Sequence, residues 1–265
     1  MEVSKINLSS SAPQDSSGEE VQKKVFDTEK VEALNIKFSD SSPEKVMEWT
    51  LENLHPRVAL ATSFQAQGVV LIDLIMKIRK DARIFTLDTG RLNQETYDVM
   101  DAIRDKYDTK IEVLFPDKNE TEVMVMNHGI NLFYKGKSNR FLCCDIRKVR
   151  PLHRYLKSFD GWITSIRKDQ TDNRATASKF EIDELHGGIL KVNPIVNWNS
   201  RQVWDYIKIN NVPYNKLHDM GYPSIGCAPC TRAIKPGEDE RAGRWWWETD
   251  SDKECGLHIK HDLNK

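Results

Sequence analysis

The chain has 265 residues, of which 39% are hydrophobic and 30% are charged, and its formal net charge is −1. This composition is typical of a globular protein, and the length allows one large domain with terminal tails. No apolar run reaches the ~20 residues that a membrane-spanning helix needs, and the near-neutral charge does not indicate a nucleic-acid partner. We therefore expect neither a membrane nor a nucleic acid to be bound.

The two ends of the chain are predicted to be tails. Residues 1–25 are polar and rich in serine, a composition typical of disorder. They contain no apolar signal segment, which favours a cytoplasmic location. The packed domain is expected over 26–244, followed by a mobile C-terminal tail over 245–265.

Strands and helices alternate in the first half of the domain. Strands are predicted over Val58–Thr62, Arg83–Leu87 and Lys110–Phe115. Helical periodicity separates them, over residues 69–78 and again after Asn93, whose side chain can cap the second helix. This alternation predicts right-handed crossovers, and hence an α/β fold with a mostly parallel central sheet and flanking helices.

Two loops follow the first two strands at one edge of this sheet. Ligands of parallel sheets bind beyond the carboxyl ends of the strands. Because Ser63–Gly68 and Asp88–Arg91 lie at such ends, both are predicted to line one crevice. Backbone N–H groups of the first loop and of the following helix suit an anion, although a Ser/Gly turn at this position is often only a turn.

The second half is predicted to add two strands and one helix. The strands are Trp162–Ile166 and Ile189–Val192, and Ser200 is a plausible cap for the helix. Residues 211–240 are rich in proline and glycine and are interpreted mainly as loop.

The five cysteines are grouped unusually. Cys143 and Cys144 are adjacent, Cys227 and Cys230 form a Cys-x-x-Cys pair, and Cys255 stands alone. Two pairs of thiolates can complete a tetrahedral metal site or hold an iron–sulfur cluster. An adjacent pair is unusual in zinc ribbons, whose halves normally read Cys-x(2–4)-Cys, and this favours a cluster. Cys255 is then left over as a candidate nucleophile.

Two alternatives to a metal site stay open for the cysteines. They are a disulfide between Cys143 and Cys144, or five unrelated buried thiols. A disulfide framework usually belongs to an oxidising compartment and a short, cysteine-dense chain, which 5 cysteines in 265 residues do not resemble. For Cys255 the alternative is a passive thiol near the chain end.

Basic residues flank both cysteine pairs. One group surrounds the adjacent pair and another follows Cys230; the members are Arg140, Arg147, Lys148, Arg150, Arg154, Arg232, Lys235, Arg241 and Arg244. Runs of charge are usually solvated faces. A thiolate-bound cluster is itself anionic and is stabilised by nearby cations, however, so these groups predict an anion held beside the metal site.

Six motifs occur in order along the chain. They are Leu87-Asp88-Thr89-Gly90-Arg91-Leu92, Cys143-Cys144-x-x-Arg147-Lys148, Arg167-Lys168-Asp169-Gln170, Gly226-Cys227-x-x-Cys230-Thr231-Arg232, Gly243-Arg244-Trp245-Trp246-Trp247-Glu248 and Glu254-Cys255-Gly256-Leu257-His258. Together they resemble assimilatory adenylyl-sulfate (APS) reductases of the iron–sulfur type, over roughly residues 45–258. That family belongs to the phosphoadenylyl-sulfate (PAPS) reductases, so the resemblance implies a Rossmann-like nucleotide-binding domain.

The resemblance implies that an activated sulfate is reduced to sulfite with release of AMP. It makes Cys255 the nucleophile that attacks the sulfur and carries a Cys–S–SO3 intermediate, from which a second thiol frees sulfite by exchange. It also implies that Cys143, Cys144, Cys227 and Cys230 hold a 4Fe–4S cluster. No thiol of the chain then remains, and thioredoxin or glutaredoxin is implied as the external donor.

The same resemblance implies a set of substrate contacts. Lys148 is expected between cluster and substrate, residues 87–91 near the adenosine, and guanidinium groups at the phosphate and sulfate oxygens. The alternative for each arginine is a surface salt bridge. The expected substrate-binding residues are Ser63, Asp88, Thr89, Gly90, Arg91, Lys148, Arg167, Arg174, Arg241 and Arg244.

Two details concern the loop and the tail. Where the family usually has a glycine and an acidic pair, this chain has Gln65-Ala66-Gln67-Gly68. Trp245–Trp247 are expected to pack the base of the C-terminal tail.

Three functions remain open. The first is a thioredoxin-dependent APS reductase of assimilatory sulfate reduction. The second is a PAPS reductase, or an enzyme that accepts both substrates; because PAPS reductases typically lack both cysteine pairs, the pairs favour APS. The third is a non-catalytic, metal-stabilised nucleotide-binding sensor.

Plant-type members of the family carry an additional C-terminal thioredoxin-like domain. This chain ends at Lys265, so that domain is expected to be absent or to have been removed. The sequence does not fix the oligomeric state, and a homo-oligomer is one open alternative.

Overall fold

The computed structural model describes residues 24–248, so Cys255 lies outside the described residues. The helices are α1 (Thr28–Lys37), α2 (Pro43–Leu54), α3 (Ala66–Ile78), α4 (Gln94–Tyr107), α5 (Lys118–His128), α6 (Lys137–Cys144), α7 (Arg150–Leu156) and α8 (Ser200–Ile209). The strands are β1 (Val58–Ala61), β2 (Arg83–Leu87), β3 (Glu112–Leu114), β4 (Gly161–Ile163), β5 (Phe180–Asp183) and β6 (Ile189–Val192). Between residues 24 and 248, no helix combines the length and the apolar character needed to cross a membrane.

The strands form one sheet in the order β3-β2-β1-β4-β6-β5. All neighbours pair in parallel except β5 and β6, which are antiparallel. The predicted α/β class with a mostly parallel sheet is confirmed. Because β2 and β4 lie on opposite sides of β1, the strand order reverses at β1, and such a reversal opens a crevice at the carboxyl ends of the strands.

The strand predictions differ from the structure in four places, of which two are only shorter ends: β1 stops at Ala61 rather than Thr62, and β3 covers Glu112–Leu114 rather than Lys110–Phe115. Phe180–Asp183 was not predicted as a strand, because four residues with two carboxylates give little β signal on their own. Its pairing with β6 and the burial of Phe180 in the core supply what the sequence does not. The fourth strand is Gly161–Ile163 rather than Trp162–Ile166, and the chain then enters the loop that lines the site.

Apolar side chains cover both faces of the sheet. Leu60 and Ile84 belong to the main core cluster, which also contains the buried faces of α2, α3 and α8. Ala59 and Phe85, one residue away in each strand, belong to a second cluster with Leu152 of α7. This alternation with a period of two residues places helices on both faces of a buried parallel sheet.

The helix caps correct two sequence predictions. Asn93 is the N-cap of α4 as expected, but its side chain makes no capping bond and its amide donates to the Gly226 carbonyl at 3.4 Å. The cap of α8 is Asn199 rather than Ser200. The reason is a capping box, in which Asn199 and Gln202 each accept from the other's backbone N–H.

The packed body extends past the predicted boundary at residue 244. Trp245 is only 1% exposed and belongs to a third apolar cluster, together with Ile146 and Cys230. Glu248 forms an ion pair with the fully buried Arg140. Residues 245–248 therefore belong to the packed body rather than to a mobile tail.

Helix α6, a π-helical turn at Asp145–Val149 and helix α7 follow one another without a break. Residues 137–156 thus form one helical rod. The Arg150 N–H donates to the Asp145 carbonyl, the i→i+5 bond of a π-turn. The rod carries the adjacent cysteines near its middle and packs Leu152 and Leu156 against the sheet.

A buried carboxylate joins three helices on the main-core side of the sheet. Asp73 of α3 is 2% exposed and accepts hydrogen bonds from the hydroxyls of Tyr107 (2.6 Å) and Tyr206 (2.7 Å). Lys77 lies 2.7 Å from the same carboxylate. Burial alone would raise the pKa of Asp73, but the hydrogen bonds from Lys77, Tyr107 and Tyr206 outweigh it and hold the pKa below its usual value.

We predict that Asp73→Asn lowers the free energy of unfolding at pH 7 by about 2 kcal/mol, because a charged hydrogen-bond network loses its acceptor. The pKa is lower in the folded than in the unfolded state, so this stabilisation is present above the usual carboxyl value of 3.8 and is lost as the pH falls below it. Denaturant unfolding at pH 7 and pH 3 should therefore show a difference between the variant and the original chain that shrinks at pH 3. Asp101→Asn, at a carboxylate that is 76% exposed, serves as the control; equal losses in both variants would contradict the prediction.

Candidate active site

A cavity of about 750 Å³ opens where the strand order reverses. Its walls include Thr62 and Ser63 after β1, Leu87 at the end of β2, and residues 164–167 after β4. The volume lies in the range of small-molecule sites. The predicted crevice therefore exists, and Ser63 lies on it.

Cationic side chains outnumber acidic ones around this large cavity. The cations are Lys148, Arg167, Arg174, Lys208, Arg241 and Arg244, against Asp219 and Glu240. Five of these cations are predicted substrate-binding residues. They come from distant parts of the chain, and the fold places them around one cavity. An excess of positive charge in a low-dielectric cleft attracts an anionic ligand.

Arg244 is one of the two buried members of this set, together with Arg167. It is 6% exposed, and its Nη1 donates to the Ser224 hydroxyl at 3.2 Å. Its Nε has no hydrogen-bond partner within the described residues. Trp245 supports the guanidinium from one side, with 4.6 Å between Cζ and the ring centroid. A buried N–H directed at no protein acceptor suits a ligand oxyanion.

Arg167 and Arg174 are held by a shared amide. Arg167 donates to Asp169 at 2.9 Å, and its backbone N–H donates to the Gln170 side-chain oxygen at 3.1 Å. The same Gln170 oxygen accepts from Arg174. The loop after β4 therefore carries two pre-oriented guanidinium groups to the cavity wall.

The Ser63–Gly68 loop is more self-contained than the sequence suggested. Phe64 is fully buried with a left-handed backbone (φ 54°), and its N–H donates to the Thr62 hydroxyl at 3.1 Å. The first N–H of α3, at Ala66, donates to Nε2 of His218 at 3.2 Å. The Gly68 N–H donates to the Gln65 carbonyl at 2.9 Å, so three of the loop's N–H groups are already partnered, which leaves fewer of them for a ligand anion.

His218 was not singled out from the sequence. Its Nδ1 lies 2.8 Å from the Tyr222 carbonyl and therefore donates to it, so Nε2 is the acceptor for Ala66. Burial lowers the pKa of His218 and keeps the ring neutral. Nothing in the sequence near His218 indicates this role, because the contact spans 152 residues.

The Asp88–Arg91 segment borders the cysteine cavity, which Thr89 and Arg91 line, whereas Leu87 and Leu92 on either side of it line the large cavity. Asp88 is buried and accepts from the Gly90 N–H (2.7 Å) and from the Tyr97 hydroxyl (3.0 Å). Gly90 has φ +69°, which glycine adopts without strain. Arg91 donates to the Ile130 carbonyl at 2.9 Å.

Four cysteines from two distant segments line one small cavity. Cys143 and Cys144 end helix α6, and Cys227 and Cys230 bound a one-turn 3-10 helix. The Thr89 hydroxyl lies 3.3 Å from the sulfur of Cys227. Within residues 24–248 none of the four forms a disulfide, so the alternative of a Cys143–Cys144 disulfide is not supported.

The setting of these thiols is apolar but edged with cations. Burial raises the pKa of Cys143, and it raises the pKa of Cys230 to about 12, against the opposing effect of Lys148 and Arg244. Arg147 is 8% exposed, lines the same small cavity and donates to the Thr89 carbonyl at 2.6 Å. Buried thiols become thiolates when a metal centre binds them.

In the described part of the chain, no three His, Cys, Asp or Glu side chains lie close enough to hold a single metal ion. A cluster imposes a different requirement, because each cysteine binds a different iron and the sulfurs stay further apart. The four cysteines come from two segments, surround one cavity and have buried cations beside them. This arrangement fits the four thiolate ligands that a cluster needs. The cysteine geometry is compatible with a cluster and does not match a one-ion zinc site.

Lys148 lies on the wall of both cavities. It follows the adjacent cysteines by one turn of the helical rod, in the π-helical segment. The cysteine cavity and the large cavity are therefore neighbours, separated by this cation.

Sequence reasoning missed most of the polar lining of the large cavity. The missed residues include Thr62, Thr164, Ser165, Gln170, His218 and Ser224. Several follow predicted strands, so strand ends were the available indication.

Comparison with known proteins places these features in a family. Residues 57–233 match the phosphoadenosine phosphosulfate reductase domain family. An adenosine 5'-phosphosulfate reductase of Burkholderia cepacia is 46% identical over 205 residues, which are 77% of this chain and 82% of that protein. The chloroplastic 5'-adenylylsulfate reductase 3 of Arabidopsis thaliana is 40% identical and aligns with 99% of this chain, which spans 59% of the plant protein's length.

One solved structure extends the comparison to three dimensions. A phosphoadenylyl-sulfate reductase from Candida auris, in a phosphate complex, superposes with a TM-score of 0.69 at 30% identity. The superposition covers 80% of this chain and all of that one.

We predict that Gly226→Ala weakens AMP binding by about tenfold, because a Cβ there would lie 2.4 Å from Nη2 and 2.7 Å from Cζ of the buried Arg244. The guanidinium would have to leave its place on the cavity wall. Arg244→Ala should cause a similar loss, and the double variant should be no worse than either single one, since all three remove the same contact. Isothermal titration with AMP measures the affinities; additive losses would show that Gly226 acts independently of Arg244.

Proposed function

The chain belongs to the phosphoadenosine phosphosulfate reductase family, and on that premise we propose that it reduces adenylyl sulfate to sulfite and AMP. The observation that carries the proposal is the position of Lys148, on the wall of both the nucleotide-sized cavity and the four-cysteine cavity. A phosphosulfate held by the cations of the large cavity can reach the side where the cysteines lie. The relatives of 40–46% identity named for this reaction support the same conclusion.

The proposed reaction begins with attack on the sulfur of adenylyl sulfate by the Cys255 thiolate. A sulfur–sulfur bond forms, the sulfur–oxygen bond to the phosphate breaks, and AMP leaves with that electron pair. One thiol of an external dithiol then attacks Cys255 and displaces sulfite, and the second thiol resolves the mixed disulfide. The donor is oxidised by two electrons, and the sulfur of the substrate is reduced by two.

Within the described residues, binding and charge stabilisation are the roles of the arginines and Lys148. The phosphate and sulfate oxygens are assigned to Arg167, Arg174, Arg241 and Arg244, because guanidinium groups bind oxyanions in bidentate geometry. Lys148 is assigned to the sulfonate end. Ser63, Thr62 and the loop after β4 are assigned to the nucleotide side of the cavity.

We further propose that Cys143, Cys144, Cys227 and Cys230 hold a 4Fe–4S cluster. Such a cluster, when bound, supplies a fixed anionic centre that ties two distant segments together. Arg147 and Lys148 would offset its charge from the same helical rod. The dithiol donor already supplies both electrons that the substrate sulfur takes up, so the proposed reaction needs no electron transfer by the cluster.

The electron donor and the compartment follow from the thiols. With Cys143, Cys144, Cys227 and Cys230 on the cluster and Cys255 as the nucleophile, the proposed reaction takes the thiol that releases sulfite from a dithiol donor, for which we propose thioredoxin or glutaredoxin. The cysteines in this proposal act as free thiols, which stay reduced in a reducing compartment. We therefore propose that the reaction takes place in the cytoplasm.

We predict that anaerobically purified protein carries about four irons and four acid-labile sulfides per chain. Cys230→Ser should lower both contents sharply, because it removes one of the four thiolates. Cys255→Ser should leave both unchanged, which makes it the matched cysteine control. Iron and sulfide analysis with visible absorption is the measurement, and stoichiometric zinc without labile sulfide would refute the assignment.

We predict that mixing the protein with adenylyl sulfate, without a dithiol donor, releases about one AMP per chain and leaves a Cys255–S–SO3 adduct, the burst expected of covalent catalysis. Peptide mass spectrometry locates the adduct, and reduced thioredoxin should discharge it as sulfite. Cys255→Ser should bind the substrate but give neither adduct nor turnover. A parallel assay with PAPS tests the alternative substrate. An adduct on another cysteine would contradict the mechanism, and iron with no sulfite from either substrate would favour a sensor.

A further inference from the structure

The chain turns sharply just before the described residues end. Trp245 has a left-handed backbone (φ 42°), a conformation that is costly for a bulky residue. Its side chain is 1% exposed and is covered by two guanidinium groups, with Cζ of Arg140 at 4.4 Å and of Arg244 at 4.6 Å from the ring centroid. Such a conformation persists only where surrounding contacts enforce it.

A buried ion pair encloses this turn. Nε of Arg140 donates to Oε1 of Glu248 at 2.6 Å, and Nη2 donates to Oε2 at 2.9 Å. The two side chains are 0% and 9% exposed. A paired, two-bond contact at this depth is strong and directional, unlike a surface salt bridge. We call the Trp245 turn together with the Arg140–Glu248 pair the latch.

The latch attaches the end of the packed body to the helix of the adjacent cysteines. Arg140 lies in α6, one helical turn before Cys143, and lines the cysteine cavity. Glu248 is therefore fixed beside a cavity whose wall is shared, through Lys148, with the large cavity.

The latch also fixes where the remaining chain starts. Cys255 follows Glu248 by seven residues, which span at most about 25 Å when fully extended. That length bounds the distance between the Cys255 thiol and the anchored Glu248. Without the latch the anchor lies further back along the chain, so the bound grows and the effective concentration of the thiol at the substrate falls.

We propose that Arg140 and Glu248 are positioning residues for Cys255: their ion pair holds the origin of the C-terminal segment so that the thiolate meets the sulfur of the bound substrate. The inference rests on the proposed function, in which Cys255 is the nucleophile. Neither residue is required to touch the substrate. The competing role for the pair is to support the cysteine site alone, since Arg140 lines it.

The test compares Glu248→Gln with Glu238→Gln. Glu238 also makes a two-bond pair, with Arg232 at 2.8 and 2.9 Å, but that pair is 35% and 30% exposed and does not involve α6. Three quantities are measured for each variant: the iron content, the affinity for adenylyl sulfate in a Cys255→Ser background, and the single-turnover rate of AMP release without a dithiol donor. Alkylation of Cys255 by iodoacetamide reports the intrinsic reactivity of the thiol.

Loss of the pair should slow single-turnover AMP release by about 10- to 100-fold, the effect of a misplaced reacting group. Iron content, substrate affinity and the alkylation rate should stay within about twofold, because only position changes. Glu238→Gln should match the original chain in all four measurements. If Glu248→Gln does not fold, the same criteria apply to Glu248→Asp, which keeps the charge with a shorter reach.

Three results would overturn the positioning role. An unchanged AMP-release rate in Glu248→Gln would show that the origin of the segment is irrelevant. Loss of iron would show that the pair supports the cysteine site instead. An original chain that gives no AMP burst would refute the proposed function itself, which is distinguishable because the other two results leave that burst intact.

Discussion

The arrangement of the site depends on the helical rod of residues 137–156. At 1.5 Å per residue it is about 30 Å long, and its second half is fixed by Leu152 and Leu156 against the sheet. Because the rod is continuous, that packing also determines where the cysteines and Lys148 lie. The π-turn at Asp145–Val149 changes the angular register between the two halves, so that one end faces the sheet and the other faces the Cys-x-x-Cys loop. Bulges of this kind are frequent at functional sites.

The arginines of residues 140–154 fall into two classes that the sequence does not distinguish: exposed arginines on the surface and buried arginines beside the cysteines. Arg150 and Arg154, exposed and bonded to Glu120 and the Phe115 carbonyl, belong to the solvated surface. Arg140 and Arg147, from the same basic run, are buried beside the cysteines. Burial makes the difference, since a cation acts strongly on a neighbouring anion only where water is excluded. The helical period does not separate the two classes, because Arg140, Arg147 and Arg154 are seven residues apart, about two turns each; what separates them is the part of the rod on which each one lies.

The sequence could predict what depends on local pattern. Alternating strands and helices, the bounds of Arg83–Leu87 and Ile189–Val192, and the two cysteine pairs are all readable over a few residues. Contacts between distant segments were not readable. His218 on the Ala66 N–H and Glu248 on Arg140 join residues 152 and 108 positions apart. Partners so distant along the chain are supplied only by the fold, and no local pattern indicates them.

The electron balance bears on why a thiol-based reductase would keep four further cysteines. Attack by one thiol and resolution by a dithiol already account for both electrons, so an electron-carrying cluster would be redundant. What thiol exchange cannot supply is geometry: the Cys-x-x-Cys turn lies in a segment rich in proline and glycine, with little regular structure of its own. Bonding that turn to the rod would fix one wall of the large cavity, because Gly226 and Arg244 come from the same region. On this argument a cluster held by the four cysteines would act as a structural joint, its negative charge would set the local electrostatic field, and Lys148 would lie between that charge and the bound substrate.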